Sequence, residues 1–235
     1  MIFYRQMMVS DFRKDNTMVK RIDSHVTMQK LIPNAGKKYR ELWDVPEDHQ
    51  SIGLISCDVE DVMDFALDDA SKKARIQVLH VETVYGGVEY AWSRYGGEIT
   101  AVISGPRVED VKSGLMYIRD YIEHRCGMYI INDDESMAYY VDYMPRAGRY
   151  FQQKHGVPAG TSLAHLVAPP IEATYGLDKA LKSSNTKIVE LFDAPTRVNT
   201  GGAFLSGTEA ACKSAVAAFA EAVQFCYANP MSLDS

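Results

Sequence analysis

Asp58, Glu60 and Asp61 fall together just after a short apolar run, and Glu98 stands immediately before another. Carboxyl groups gathered in this way can act as general acid and base when their surroundings push their pKa values apart. That work also wants a histidine or lysine converging on them, and none stands near in the chain. The six histidines (His25, His49, His80, His124, His155, His165) never fall at i, i+4, so no paired-imidazole metal site is encoded on a helix face. His80 and His165 lie in predicted strands and read as structural. The four cysteines, Cys57, Cys126, Cys212 and Cys226, are far apart and form no CxxC pair. They read as buried, reduced thiols rather than as disulfides or metal ligands. Walker loop, GxGxxG after a strand, HExxH and GxSxG elbow are all missing. The missing motifs lower the expectation of an enzyme without excluding one, and no cofactor or metal is expected.

The elements that carry these residues follow from periodicity. Val26 to Ile32 reads as a strand, Gly36 to Trp43 as a short helix, and Ile52 to Ser56 as an apolar strand running into Asp58, an expected N-cap. The next helix puts Val59, Val62, Met63, Ala66 and Ala70 on one face. Strands follow at Arg75 to Val81 and Ile99 to Ser104, separated by a Gly/Tyr-rich loop from Thr83 to Gly97, and then a helix from Val108 to His124. The second half runs in the same order: a strand at Met128 to Ile131, a helix from Asp134 to about Gln153, and a strand at Leu163 to Ala168. Pro169-Pro170 opens a helix ending near Ser183, since proline suits a first turn. Lys187 to Phe192 and Ala203 to Leu205 are strands, and the last helix aligns Cys212, Ala215, Val216, Phe219, Ala222, Val223 and Cys226. Residues 1–23 show no lasting period and read as an N-terminal extension.

The halves are versions of each other. Leu67-Asp68-Asp69-Ala70-Ser71-Lys72 returns as Leu177-Asp178-Lys179-Ala180-Leu181-Lys182, and Ala101-Val102-Ile103-Ser104-Gly105 as Ala203-Phe204-Leu205-Ser206-Gly207. A period of roughly 100 residues is domain-sized, well above that of solenoid repeats. The expected division is 24–124 and 125–230, each an α/β (α+β) domain with a small sheet covered by helices. A net charge of −6 gives no basic patch to displace counterions, so nucleic acid is not expected as a partner. No run reaches the length of a membrane span and no signal peptide is visible, so the expected location is cytoplasmic, with no membrane partner.

Several strings resemble a known family. Ser51-Ile52-Gly53-Leu54-Ile55, Asp68-Asp69-Ala70-Ser71-Lys72, Leu166-Val167-Ala168-Pro169-Pro170-Ile171-Glu172-Ala173-Thr174 and Ala210-Ala211-Cys212-Lys213 resemble the EutL-type shell proteins of bacterial microcompartments. These are tandem, circularly permuted BMC-domain proteins, and the resemblance covers about residues 24 to 230. It implies two mostly antiparallel domains, a homotrimer forming a pseudohexagonal disc, lateral tiling with other shell proteins around encapsulated enzymes, and passage of small metabolites through a gated central pore.

The resemblance places that pore at the loops Thr83 to Gly97 and Asp193 to Gly202. Tyr85, Gly86, Gly87, Gly96 and Gly97 belong to the first loop, and Thr196, Arg197, Val198, Asn199 and Gly201 to the second. Glycines at the loop boundaries are permissive of hinge motion. Arg197 copies meeting near a three-fold axis, at about 10 Å and an effective dielectric of 20, would repel by roughly 1.7 kcal/mol per pair. They would splay, pair with Glu89 or Asp193, or hold an anion. The resemblance also implies a small pore within each subunit lined by Glu60, Asp61, Glu98 and Met128. Met128 stands there in place of an aromatic residue, and Ile130 in place of a tryptophan, which removes a face for cation–π contact with an amine. Without the resemblance, Glu60 and Asp61 are favourable charges in a first helical turn. Two other classes fit duplicated α/β domains: a metabolite-sensing regulatory protein, and an enzyme using Asp58, Glu60, Asp61 and Glu98.

Overall fold

Runs rich in Ile, Val and Ala alternate with helices of 3.6-residue apolar period, and the chain folds them into two sheets, each with helices packed on it. The computed structural model describes residues 20–84, 97–130, 132, 135–196 and 198–233. In chain order the first elements are β1 (Lys20–Asp23), β2 (Val26–Ile32), α1 (Lys37–Leu42), β3 (Ser51–Cys57), α2 (Met63–Lys73), β4 (Gln77–Val84), β5 (Glu98–Gly105) and α3 (Val108–His124). There follow β6 (Gly127–Ile130), β7 (Ala138–Met144), α4 (Arg149–His155), β8 (Ser162–Ala168), α5 (Pro170–Ser183), β9 (Lys187–Phe192), β10 (Gly201–Gly207) and α6 (Glu209–Ala228).

The chain divides into two compact units. One comprises residues 23–127 and 144–163, the other residues 128–143 and 164–233 with 20–22. The division expected from the repeat is continuous in sequence. The packing units are not, because 144–163 groups with the first.

In the first unit the strand order is β2-β3-β5-β4, every neighbouring pair antiparallel. In α2 the expected apolar face is buried: Met63, Ala66 and Ala70 are fully inaccessible, as is Val62 in the 3-10 turn Glu60–Val62 before it. Asp58 does not cap this helix. Its carboxylate accepts from the His25 amide at 2.7 Å and meets His25 Nδ1 at 3.2 Å, because the helix starts only at Met63. Helix α3 lies close on β3, where a Cβ at Gly53 would meet Val111 at 2.8 Å.

In the second unit the order is β1-β6-β7-β8-β10-β9, so β7-β8-β10-β9 repeats β2-β3-β5-β4. Residues 20–23, expected in an unstructured extension, instead add β1 as an edge strand. The expected helix from Asp134 is also overturned. Ala138–Met144 is a strand, and only Arg149–His155 is helical. Tyr139-Tyr140-Val141 is an aromatic and β-branched run whose rings suit a buried pleated surface, and Pro145 with Gly148 breaks the chain before a helix can start. Helix α6 begins where the Thr208 hydroxyl accepts from Ala211 N at 3.2 Å. Phe219 packs so closely on α5 that a Cβ at Gly176 would lie 2.8 Å from its ring. His165 is 2 % exposed and stacked on Phe204 with ring centroids 4.1 Å apart, a packing role. His80, on β4, is exposed and lies against Trp43 at 5.4 Å. All four cysteines are thiols rather than disulfides; Cys57, Cys126 and Cys212 are buried and Cys226 is half-buried.

Candidate functional site: an acidic sheet end and two loops

The register of the four-stranded sheet brings one end of each strand together. Cys57 pairs with Ile99 and with Val26, and Val84 pairs with Glu98, so β3 and β4 end where β2 and β5 begin. The turn after β3 carries Asp58, Glu60 and Asp61 to this end, and β5 opens there with Glu98. Glu98 Oε1 accepts from Thr27 Oγ1 at 3.0 Å. Burial raises the Glu60 carboxyl above its ordinary range, with a hydrogen bond from Thr83 opposing the shift. Asp61 is raised well above its range, first by burial, then by the neighbouring charges of Glu60 and Asp64. Asp64 is itself held by Tyr150 Oη at 2.6 Å and Lys154 Nζ at 2.6 Å.

The arrangement offers acceptor oxygens but little reactive chemistry. Burial pushes the Cys57 thiol well above its usual range, and its Sγ donates to Val59 O at 3.2 Å, so it is not a thiolate nucleophile. Among the described residues no group of three or more His, Cys, Asp or Glu side chains could hold a metal ion. The sequence brought out Glu60, Asp61 and Glu98, and the structure places them at one sheet end. Met128 lies in β6 of the other unit with a side chain 1 % exposed. Sequence reading missed the residues that hold the carboxyls, Thr27, Thr83, Tyr150 and Lys154. Lys154 stands 90 positions from Asp64, and no local pattern signals such a pairing.

Of the two loops, Tyr85, Gly86, Gly87 and Gly96 of the first lie outside the described residues, as does Arg197 of the second. Gly97 is buried just ahead of β5. The second loop is braced: Thr196 N donates to Thr200 O at 2.8 Å, the Thr196 and Thr200 hydroxyls meet at 2.8 Å, and Asn199 N donates to Thr196 O at 3.0 Å. Asn199 takes φ 59°, a left-handed conformation that asparagine tolerates. Val198 is half-buried beside it. Gly201 and Gly202, expected as hinges, instead lie inside β10. A Cβ on Gly201 would fall 2.6 Å from Ala194 Cβ, and one on Gly202 2.0 Å from Leu166 O, so close approach to β8 explains the second glycine.

This geometry matches known proteins. No protein-family model matches the chain. The bacterial microcompartment shell protein EutL of Clostridium perfringens (strain 13 / Type A) is 39 % identical over 210 residues, 89 % of this chain and 97 % of that protein. The crystal structure of the ethanolamine utilization protein EutL from Leptotrichia buccalis C-1013-b superposes with a TM-score of 0.85 at 40 % identity, covering 91 % of this chain and 99 % of that one. The fold extends to a trimeric bacterial microcompartment shell protein, PduB, at TM-score 0.68 and 19 % identity, covering 87 % of this chain and 89 % of that one. Two like sheets covered by helices in one chain are thus the architecture of tandem-domain microcompartment shell proteins. The chain belongs to the EutL family of bacterial microcompartment shell proteins. It is a structural protein rather than an enzyme, acts in association with other shell subunits, and has its place in the microcompartment shell. Family membership sets aside the metabolite sensor and the acid–base enzyme. Among the described residues, no helix is long and apolar enough to cross a membrane.

Proposed function

We propose that the chain forms a homotrimer in which two BMC domains per subunit, residues 24–124 and 125–230, make a pseudohexagonal tile with a gated central pore. Tiles pack laterally with other shell proteins around encapsulated enzymes, and small metabolites pass through the pores. The observation that carries this reading is the repeated strand order, β2-β3-β5-β4 and β7-β8-β10-β9, in a member of the EutL family. The segments 85–97 and 193–200 occupy the same place in each repeat, between β4 and β5 and between β9 and β10. This supports their joint role around the central pore, with Arg197 favouring anionic solutes.

Glu60, Asp61 and Glu98 are proposed to line a small passage within each subunit; Met128 joins them on its match to the family position alone. Burial raises the pKa values of Glu60 and Asp61 and so favours their neutral form, and with Glu98 they make a carboxyl-rich wall that can both donate to and accept from a small polar solute. The test is light scattering of the purified protein with negative-stain imaging of the same sample. Trimers that form hexagonally ordered sheets as concentration rises are the expected result. Monomers or dimers that never tile, at any salt, would overturn the proposal.

A further inference from the structure

Pro33-Asn34-Ala35-Gly36 leads into α1, and Pro145-Arg146-Ala147-Gly148 leads into α4. Each segment is fastened to the strand that follows it by the same two bonds. Ala35 N donates to Gln50 O at 2.8 Å and Ser51 Oγ to Pro33 O at 2.7 Å. Ala147 N donates to Thr161 O at 2.7 Å and Ser162 Oγ to Pro145 O at 2.7 Å. The two short helices therefore leave their strands in the same way.

What they meet differs. Helix α4 lies on α2, where the fully buried Asp68 accepts from Gly148 N at 2.8 Å and Phe151 N at 3.1 Å. Lys72 Nζ donates to Arg146 O at 3.0 Å, and the Phe151 ring packs edge-on against Phe65 at 5.5 Å. A Cβ on Gly148 would sit 2.9 Å from the Asp68 carbonyl oxygen, so the contact demands glycine. Helix α1 has no buried residue, and a Cβ on Gly36 would find nothing within 4 Å. Tyr39, the counterpart of Phe151, is 37 % exposed, and Leu42 is 75 % exposed. A helix of six residues with no buried face has little to stabilise it in water.

Helix α5 is the second version of α2. Its Asp178 and Lys182 stand where Asp68 and Lys72 stand, yet their side chains are 51 % and 71 % exposed. Tyr175 takes the place of Phe65; it is half-buried, with its ring stacked on Phe225 at 6.0 Å and Lys179 Nζ 5.0 Å from the ring centroid, while Ile171, one turn before it, is 77 % exposed. One copy of the chain thus carries a docking segment with no seat and a seat with no docking segment.

We propose that α5 of one copy seats residues 33–43 of a second copy, as α2 seats 145–155 within the chain. Asp178 then accepts from the Gly36 amide, Lys182 reaches the Asn34 carbonyl, and Tyr39 packs on Tyr175. The segment is basic through Lys37, Lys38 and Arg40 with Glu41 among them, and it meets a helix whose Glu172 and Asp178 are balanced by Lys179 and Lys182, so the match rests on the repeated geometry rather than on net charge. Where α4 sets Lys154 on Asp64, the counterparts are Leu42 and Thr174, so an ion pair inside the chain becomes an apolar contact between chains that covers Leu42. The contact is heterologous: each copy gives a segment at one surface and takes one at another, and the association grows until a ring closes. This rests on the homo-oligomeric reading above and names the surface that builds it.

The test is a Gly36→Leu variant, for which the single chain has room, beside Asp178→Ala. With circular dichroism and the unfolding profile unchanged, the scattering mass is expected to fall to that of one 26.3 kDa chain. A Gly36→Cys/Asp178→Cys double variant, mildly oxidised in the native state, should give disulfide-linked copies that neither single variant gives. A wild-type oligomer with both substituted proteins at its mass, and no cross-link, would overturn the contact while leaving the assembly standing. A wild-type protein that stays a single chain at every concentration would overturn both.

Discussion

At the scale of single residues, the strongest determinant is Asp68. Its carboxylate is buried, takes two backbone amides of the α4 segment and pairs with Lys72 Nζ at 3.1 Å. Removing one partner of such a set leaves the others desolvated without compensation, so Asp68→Ala is expected to cost about 3–5 kcal/mol in urea unfolding. His155 sets a pH dependence. Burial first, and the Lys154 ammonium next, push its imidazole from 6.5 down to about 4. The unfolded chain takes up the proton first, so His155 contributes stability that is complete above pH 6.5 and is lost as pH falls towards 4. His155→Gln is expected to flatten that part of the stability profile, measured by thermal unfolding at intervals of pH. Neither role is visible in sequence. Asp68 looks like one more polar residue of a repeat, and its partners lie 80 and 83 positions away.

Among elements, local patterns were read best where one period dominated. The predicted stripe of α6 is buried at Cys212, Ala215, Val216, Phe219, Ala222 and Val223 and only half-buried at its last member, Cys226, and β2, α3 and β9 span the residues that periodicity predicts. The failure at β7 has a physical cause. A short run with tyrosines and one valine has weak helical as well as strand periodicity, and its place between β6 and β8 in the sheet decides between them. Gly202 shows the same tertiary control. Its sequence context suggested a hinge, but β8 passes so near that only a missing side chain fits. Gly202→Ala is therefore expected to destabilise the protein by about 1–3 kcal/mol through overpacking, read from the urea midpoint at unchanged slope.

On the whole-molecule scale, duplication gives the chain two similar sheets and two similar helix pairs, but unequal surroundings for them. The α2 surface is filled by α4, while the matching α5 surface is open. On the contact proposed above, tandem fusion makes one contact of a ring internal and leaves its twin for another copy.

The amino-acid sequence alone determined the α/β class, the duplication, the exclusion of common catalytic motifs and the EutL resemblance, because these are carried by local period and by strings of neighbouring residues. It also singled out Glu60, Asp61 and Glu98 as carboxyls of interest. Only the tertiary structure decided that these three meet at one sheet end, that Asp58 serves His25 instead of a helix, that residues 144–163 pack with the first unit, and that Gly36 and Gly148 stand in opposite surroundings. Each of those facts depends on which distant segment comes within a few ångströms, and chain closure over such separations leaves no local periodic trace.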